Sequence, residues 1–108
     1  MKILFVENHS IFAEQVTKSF LSSHHVTVVP SLAAARSSLT SGNYDVLLID
    51  YDLDDGKADT LVSELRSAGS KTRIIGVSAR EDGNIALSHA GADAVCSKMS
   101  FDRIQSLI

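Results

Sequence analysis

Asp45-Val46-Leu47-Leu48-Ile49-Asp50-Tyr51-Asp52-Leu53-Asp54-Asp55 is the stretch on which the fold turns. Val46 to Ile49 is an apolar run with no polar alternation. A strand carries that pattern when both of its faces are covered, as in the middle of a parallel sheet. The run stops abruptly at Asp50, and Asp52, Asp54 and Asp55 follow. Ligands of open parallel sheets bind just beyond the carboxyl ends of the strands. Asp50 belongs at such an edge, half inside the fold, with more acid above it. Taken alone, the same residues also describe a solvated acidic loop behind a core strand. The flanking sequence decides between the two.

Upstream, Ile3-Leu4-Phe5-Val6 is a second buried-strand run, ending in Glu7, Asn8, His9 and Ser10. Asn8 or Ser10 is the expected cap of a helix whose stripe is Phe12, Val16 and Phe20, with Ile11 beside it. Ser22-Ser23-His24 breaks that helix, and Val26 to Val29 forms a β-branched strand closed by Pro30. Ser31 caps the next helix, with Leu32, Ala35 and Leu39 inward, and Ser41-Gly42-Asn43 ends it.

Downstream of the acidic loop, the spacing predicts a helix over about 58–68, with Leu61, Leu65 and Ala68 inward and Gly69 as its stop. Arg73 to Val77 is a fourth strand, ending at Ser78-Ala79. A short helix over about 84–90, a turn at Gly91-Ala92 and a weaker strand from Asp93 to Ser97 lead to Lys98. Ser100 is the expected cap of a last helix built on Phe101, Ile104 and Ile108, too short to be stable alone. Strand and helix alternate through five units, which implies a parallel sheet with helices on both faces and right-handed crossovers.

The length of 108 residues predicts one domain over 1–108. A net charge of −3 with no basic block argues against direct contact with nucleic acid. The single cysteine, Cys96, excludes an internal disulfide and fits a reducing cytosol. It reads as a small buried hydrophobe in the fifth strand. No apolar stretch is long enough for a membrane span, and the N-terminus lacks a signal-peptide layout. A cytoplasmic location is the expectation. The four histidines, His9, His24, His25 and His89, show no metal-ligand spacing.

Four strands end in residues with useful chemistry: Glu7-Asn8, Asp50, Ser78 and Lys98. Singly, each has a dull explanation as a cap, a turn or a solvated charge. Together they stand at matching points of successive strand–helix units, and parallel strands bring their carboxyl ends to one edge.

In this order the chain resembles the receiver domain of two-component response regulators. The resemblance rests on Ile3 to Asn8, Asp50, Ser78-Ala79, Gly91-Ala92-Asp93 and Lys98, and covers essentially the whole chain. It implies a flavodoxin-like α/β three-layer sandwich with a parallel sheet of order 2-1-3-4-5. It implies Asp50 as phospho-acceptor, served by a histidine kinase or histidine phosphotransfer protein, with Ser78 and Lys98 as phosphoryl partners. Mg²⁺ is the implied cofactor, held by Glu7, Asn8, Asp50 and the Asp52 carbonyl. The expected role is a signalling switch acting on an output protein or domain not yet identified, not an enzyme. Homodimerisation, and whether the chain works alone or within a larger protein, stay open.

The chain departs from the family pattern at several points. Asn8 stands where a second carboxylate is usual, which predicts weaker Mg²⁺ binding. Asp54, Ala58 and Met99 replace a Pro, a Gly and a Pro, and Val95 replaces the usual aromatic. The segment from Ser78 to Gly91 is about two residues short. Asn8, Val95 and Met99 motivate an alternative reading, a degenerate receiver that binds partners without phosphorylation; the retained Asp50, Ser78 and Lys98 argue against it. Glu7-Asn8-His9-Ser10 contains no glycine, which argues against a nucleotide- or flavin-binding domain. Arg80, two residues past Ser78, reads as a solvated cation or as a partner of Asp52 across the mouth of the pocket.

Overall fold

In the computed structural model, which describes residues 1–108, the five apolar runs pair as one parallel sheet. The strands are β1 (Lys2–Val6), β2 (His25–Val29), β3 (Val46–Ile49), β4 (Arg73–Ser78) and β5 (Ala94–Ser97). Their order is β2-β1-β3-β4-β5, the expected doubly wound arrangement. The register aligns their ends: Val29, Val6, Ile49, Gly76 and Val95 fall on one line across the sheet. Glu7 and Asp50 are therefore neighbours one residue beyond that line. Ser78 and Lys98 follow two and three residues past it.

Two apolar layers cover the sheet, and the period-2 alternation of the strands feeds both. Leu4, Val6, Leu47, Ile49 and Ile74 face α2 (Leu32–Ser41), α3 (Asp59–Ser67) and α4 (Glu81–Ala90). Ile3, Phe5, Val46, Leu48, Ile75 and Val77 face α1 (Ser10–Phe20) and a C-terminal 3₁₀ helix (Lys98–Ser106). That last element is short, yet Phe101 secures it. Its ring stacks on Phe5 at 5.8 Å and meets Phe12 edge-on at 5.7 Å. No helix is long and apolar enough to cross a membrane.

Several local expectations are corrected. The cap position of α1 is His9, with no side-chain cap bond, because the Asn8 amide is spent on Asp54 and Ser10 is already helical. Ile11 is 72% exposed, and Ala13 joins Val16 on the buried face. The acidic loop is partly ordered as an antiparallel ribbon pairing Asp52–Leu53 with Gly56–Lys57. Its Asp55 carboxylate accepts from the Leu32 and Ala33 amides at 2.9 and 3.0 Å, so α2 is capped by Asp55 as well as by Ser31. In α3, Val62 faces the core and Ala68 is exposed. Helix α4 begins at Glu81, three residues before the expected start, and so includes Gly83.

Ser97, not Ser100, caps the C-terminal helix; its hydroxyl accepts from the Met99 amide, and Ser100 is outside helical dihedrals. Asp93 lies just before β5 and accepts from the Ile74 amide at 2.8 Å and from Arg66 at 2.7 Å. Gly91, which ends α4, has φ +124°, and a Cβ there would meet Arg66 Cγ at 2.7 Å. That position demands glycine on both counts.

Leu48 lies at the centre of the sheet with no exposed surface. Leu48→Ala should cost about 2–5 kcal/mol through lost burial and the cavity left behind. Urea denaturation measures this, and a loss below about 1 kcal/mol would show that the centre of the sheet is not tightly packed.

Candidate functional site

The aligned strand ends set two carboxylates side by side under a lysine. Glu7 is 1% exposed and Asp50 is 4% exposed. Lys98, from just after β5, reaches across β4 to both. Its Nζ lies 2.8 and 3.0 Å from the two Glu7 oxygens and 3.1 Å from Asp50 Oδ2. The same ammonium sits 5.1 Å from the centre of the Phe12 ring. Asp50 Oδ1 accepts from the Tyr51 amide at 2.8 Å. The trio carries a net charge of −1, since one ammonium faces two carboxylates. Burial, then the charge of Glu7, pushes the Asp50 carboxyl above its ordinary pKa; the Lys98 contact opposes this.

Ser78 ends β4 beside this trio and is buried. Its hydroxyl accepts from the Arg80 amide at 3.1 Å. Its backbone is held by Asn84 of α4: Oδ1 accepts from the Ser78 amide at 3.1 Å, and Nδ2 donates to the carbonyls of Ser78 and Cys96 at 3.4 and 3.3 Å. One buried amide thus ties the ends of β4 and β5 to α4. Gly83 lets the helix come this close; a Cβ there would fall 2.5 Å from the Ser78 hydroxyl.

A second set of charges closes the mouth. Arg80 Nη2 lies 2.8 Å from Asp52 Oδ2, and Lys57 pairs with the same carboxylate. Hydrogen bonding by Lys57, then the charges of Arg80 and Lys57, holds Asp52 below its ordinary pKa. Arg80 is thus paired with Asp52, the second of its two sequence readings.

The structure brings Glu7, Asp50 and Lys98 into contact and places Ser78 on the adjoining strand end. The Asp52 carboxylate is paired at the mouth instead, and the Asn8 amide nitrogen donates to Asp54 at 3.1 Å. Asn8 Oδ1 nevertheless remains buried without a hydrogen-bond partner. Sequence reasoning passed over His9. Its ring nitrogen Nδ1 and its amide each lie 3.2 Å from Glu7 Oε2. Ligand atoms of Glu7, His9 and Asp50 all fall within 4.8 Å of one another. Its position two residues past a strand-end acid was the available signal. Asn84 was also missed, since a polar residue inside an expected helix carries no mark of burial. Burial raises the Cys96 thiol above its ordinary pKa, in keeping with an inert core residue.

The donor set suits a hard or borderline divalent cation. Two buried carboxylates supply charge, and Asn8 offers an oxygen with no other partner.

Comparison with known proteins agrees with this arrangement. The chain matches the model of the response regulator receiver domain over residues 3–108. No curated protein matches by sequence. Among solved structures, the receiver domain of a Francisella response regulator is 24% identical, with a TM-score of 0.84 over 95% of this chain and 88% of that one. TrrA of Thermotoga maritima, solved in complex with Mg²⁺ and BeF, is 21% identical, with a TM-score of 0.86 over 97% and 93% of the two chains. A Burkholderia pseudomallei response regulator with a phosphorylated aspartic acid and a calcium ion is 15% identical, with a TM-score of 0.84 over 98% and 65%. At these identities the structures speak for the fold, and the family model speaks for membership: the chain belongs to the response regulator receiver domain family of two-component systems.

Proposed function

We propose that this domain is a phosphorylation switch with Asp50 as acceptor. The observation that carries the reading is the buried Asp50 carboxylate held 3.1 Å from Lys98, at a strand end flanked by Glu7 and Ser78. A carboxylate oxygen of Asp50 attacks the phosphorus of a phosphohistidine on a kinase or phosphotransfer protein. The P–N bond breaks, an acyl phosphate forms, and the departing imidazole takes its proton from water. Lys98 moves from carboxylate to phosphoryl oxygen as a mobile point charge. The Ser78 hydroxyl turns from the Arg80 amide to donate to another phosphoryl oxygen. Glu7, Asn8 Oδ1, Asp50 and the Asp52 carbonyl would hold a Mg²⁺, which would supply the positive charge that a phosphoryl group beside two carboxylates requires.

The same contacts support a direction for the movement. Val95 is 40% exposed and carries no ring that could rotate inward. Ser78 is instead tied to α4 through Asn84, so a displaced Ser78 pulls on that helix directly. The half that moves is the segment from Ala79 through α4, which an output partner then reads. The domain acts as a signalling switch, not as a turnover enzyme.

Incubation with acetyl phosphate and Mg²⁺ should add the mass of one phosphoryl group, and Asp50→Asn should abolish the addition in a folded protein. Stoichiometric labelling of that variant would place the phosphate elsewhere. No labelling of the wild type would favour the degenerate receiver.

Asp50→Asn also has a stability signature. A carboxyl whose folded pKa is raised above its unfolded value contributes stability below the unfolded pKa, and the contribution fades as pH rises through the folded pKa. Ionised Asp50 is therefore a cost at neutral pH. Asp50→Asn should be more stable than wild type there, with the advantage shrinking on acidification. Urea melts across pH measure this, and a less stable variant at neutral pH would contradict the burial argument.

With beryllofluoride as phosphoryl mimic, backbone NMR shifts should concentrate in residues 79–90. Ser78→Ala or Asn84→Ala should confine them to the neighbourhood of Asp50. Large changes around Val95 with a quiet α4 would place the moving element elsewhere.

A further inference from the structure

We infer that His9 is a metal ligand of the Asp50 pocket, and that it turns the site toward a first-row transition cation such as Co²⁺ in preference to Mg²⁺. The inference rests on the proposed reading of Asp50 as the centre of a divalent-cation site, and adds a nitrogen donor to it. Three observations carry it. First, the atom spacing suits a shared ion. Adjacent ligands at about 2.1 Å on an octahedral ion lie about 3 Å apart. His9 Nδ1 is 3.2 Å from Glu7 Oε2, and the ligand atoms of Glu7, His9 and Asp50 lie within 4.8 Å of one another. Second, the usual second carboxylate is missing. Asn8 is neutral and its amide nitrogen is committed to Asp54. The pocket is therefore short of one charged ligand, and His9 is the nearby group able to make up the coordination.

Third, the only side-chain partner of the histidine is the Glu7 carboxylate itself. It makes no cap bond to α1, its side chain is 69% exposed, and its ring contacts the Glu7 carboxylate. Glu7 Oε2 can only accept, so Nδ1 carries the proton in this contact; the largely exposed ring lets that proton pass to Nε2 when Nδ1 turns to an ion. Lys98 lies nearest Glu7 Oε1, at 2.8 Å, and the histidine approaches Oε2. The ammonium also lies 3.0 Å from Oε2, so histidine and lysine converge on that oxygen, and Oε1 has no hydrogen-bond partner. A neutral imidazole is a borderline donor. It adds little to a hard ion such as Mg²⁺ and much more to Co²⁺ or Ni²⁺, which follow the rising first-row affinity order.

The test is calorimetric titration of the intact protein with Co²⁺ and with Mg²⁺, paired with NMR of the Co²⁺ complex. Wild type should bind Co²⁺ about tenfold or more tightly than Mg²⁺ and show paramagnetically shifted imidazole ring protons. His9→Ala, at an exposed side chain, should lose those resonances and most of the preference, with Mg²⁺ affinity within about twofold of wild type. Asp50→Asn should weaken both ions. Persistence of the shifted resonances and of tight Co²⁺ binding in His9→Ala would assign the donor to another histidine and overturn the inference. Loss of both ions in Asp50→Asn with no effect of His9→Ala would overturn it too, while leaving the functional reading intact. Binding of neither ion in an Asp50-dependent manner would overturn both.

Discussion

The structure depends on one ammonium among buried carboxylates. Glu7 and Asp50 are brought together by strand pairing, because β1 and β3 are neighbours in register and each ends in an acid. Two such charges cannot share a desolvated edge without compensation. Lys98 supplies it from just past the end of β5, on the far side of β4. Removing the lysine would leave uncompensated buried charge. Keeping it leaves a pocket in which two carboxylates still face a single ammonium. Much of the fold can be read as the means of keeping these three side chains together.

The architecture was legible because it is written in runs rather than in single residues. Val46 to Ile49 has no polar break, and only a strand covered on both faces tolerates that. The spacing of Glu7, Asp50, Ser78 and Lys98 then followed from topology, since each ends a strand of one sheet. Boundaries were less legible, for identifiable reasons. Ser100 and Ser97 are equally good caps on paper, and the contact of Phe101 with Phe5 decides which one begins the turn. The early start of α4 depends on Gly83 fitting under the Ser78 hydroxyl, a contact between residues that only the fold makes close.

The site was legible in its charges and less so in its couplings. Asn84 gives no sequence signal because a buried amide and an exposed one look alike. Its partners are backbone groups on two other strands. His9 carries little signal in the sequence because its relevant neighbour is a carboxylate two residues away and not a second histidine. Asp55 was counted with the acidic loop, yet it works as a helix cap for α2, and that bonding to the Leu32 and Ala33 amides holds its pKa down.

That cap has a mechanical consequence. The ribbon carrying the residues after Asp50 is fastened on one flank and merely leaned upon on the other. Toward α2 it is held by two hydrogen bonds that the Leu32 and Ala33 amides donate to Asp55, by the buried side chains of Leu53 and Ala58, and by the fit of Gly56 against Leu32. Toward α4 it meets Arg80 through a solvent-exposed ion pair, an interaction of little strength in water. Strain introduced at Asp50 therefore meets a wall on the α2 side and a loose door on the α4 side. On the proposed reading, this difference in stiffness between the two flanks would send strain from Asp50 out toward α4.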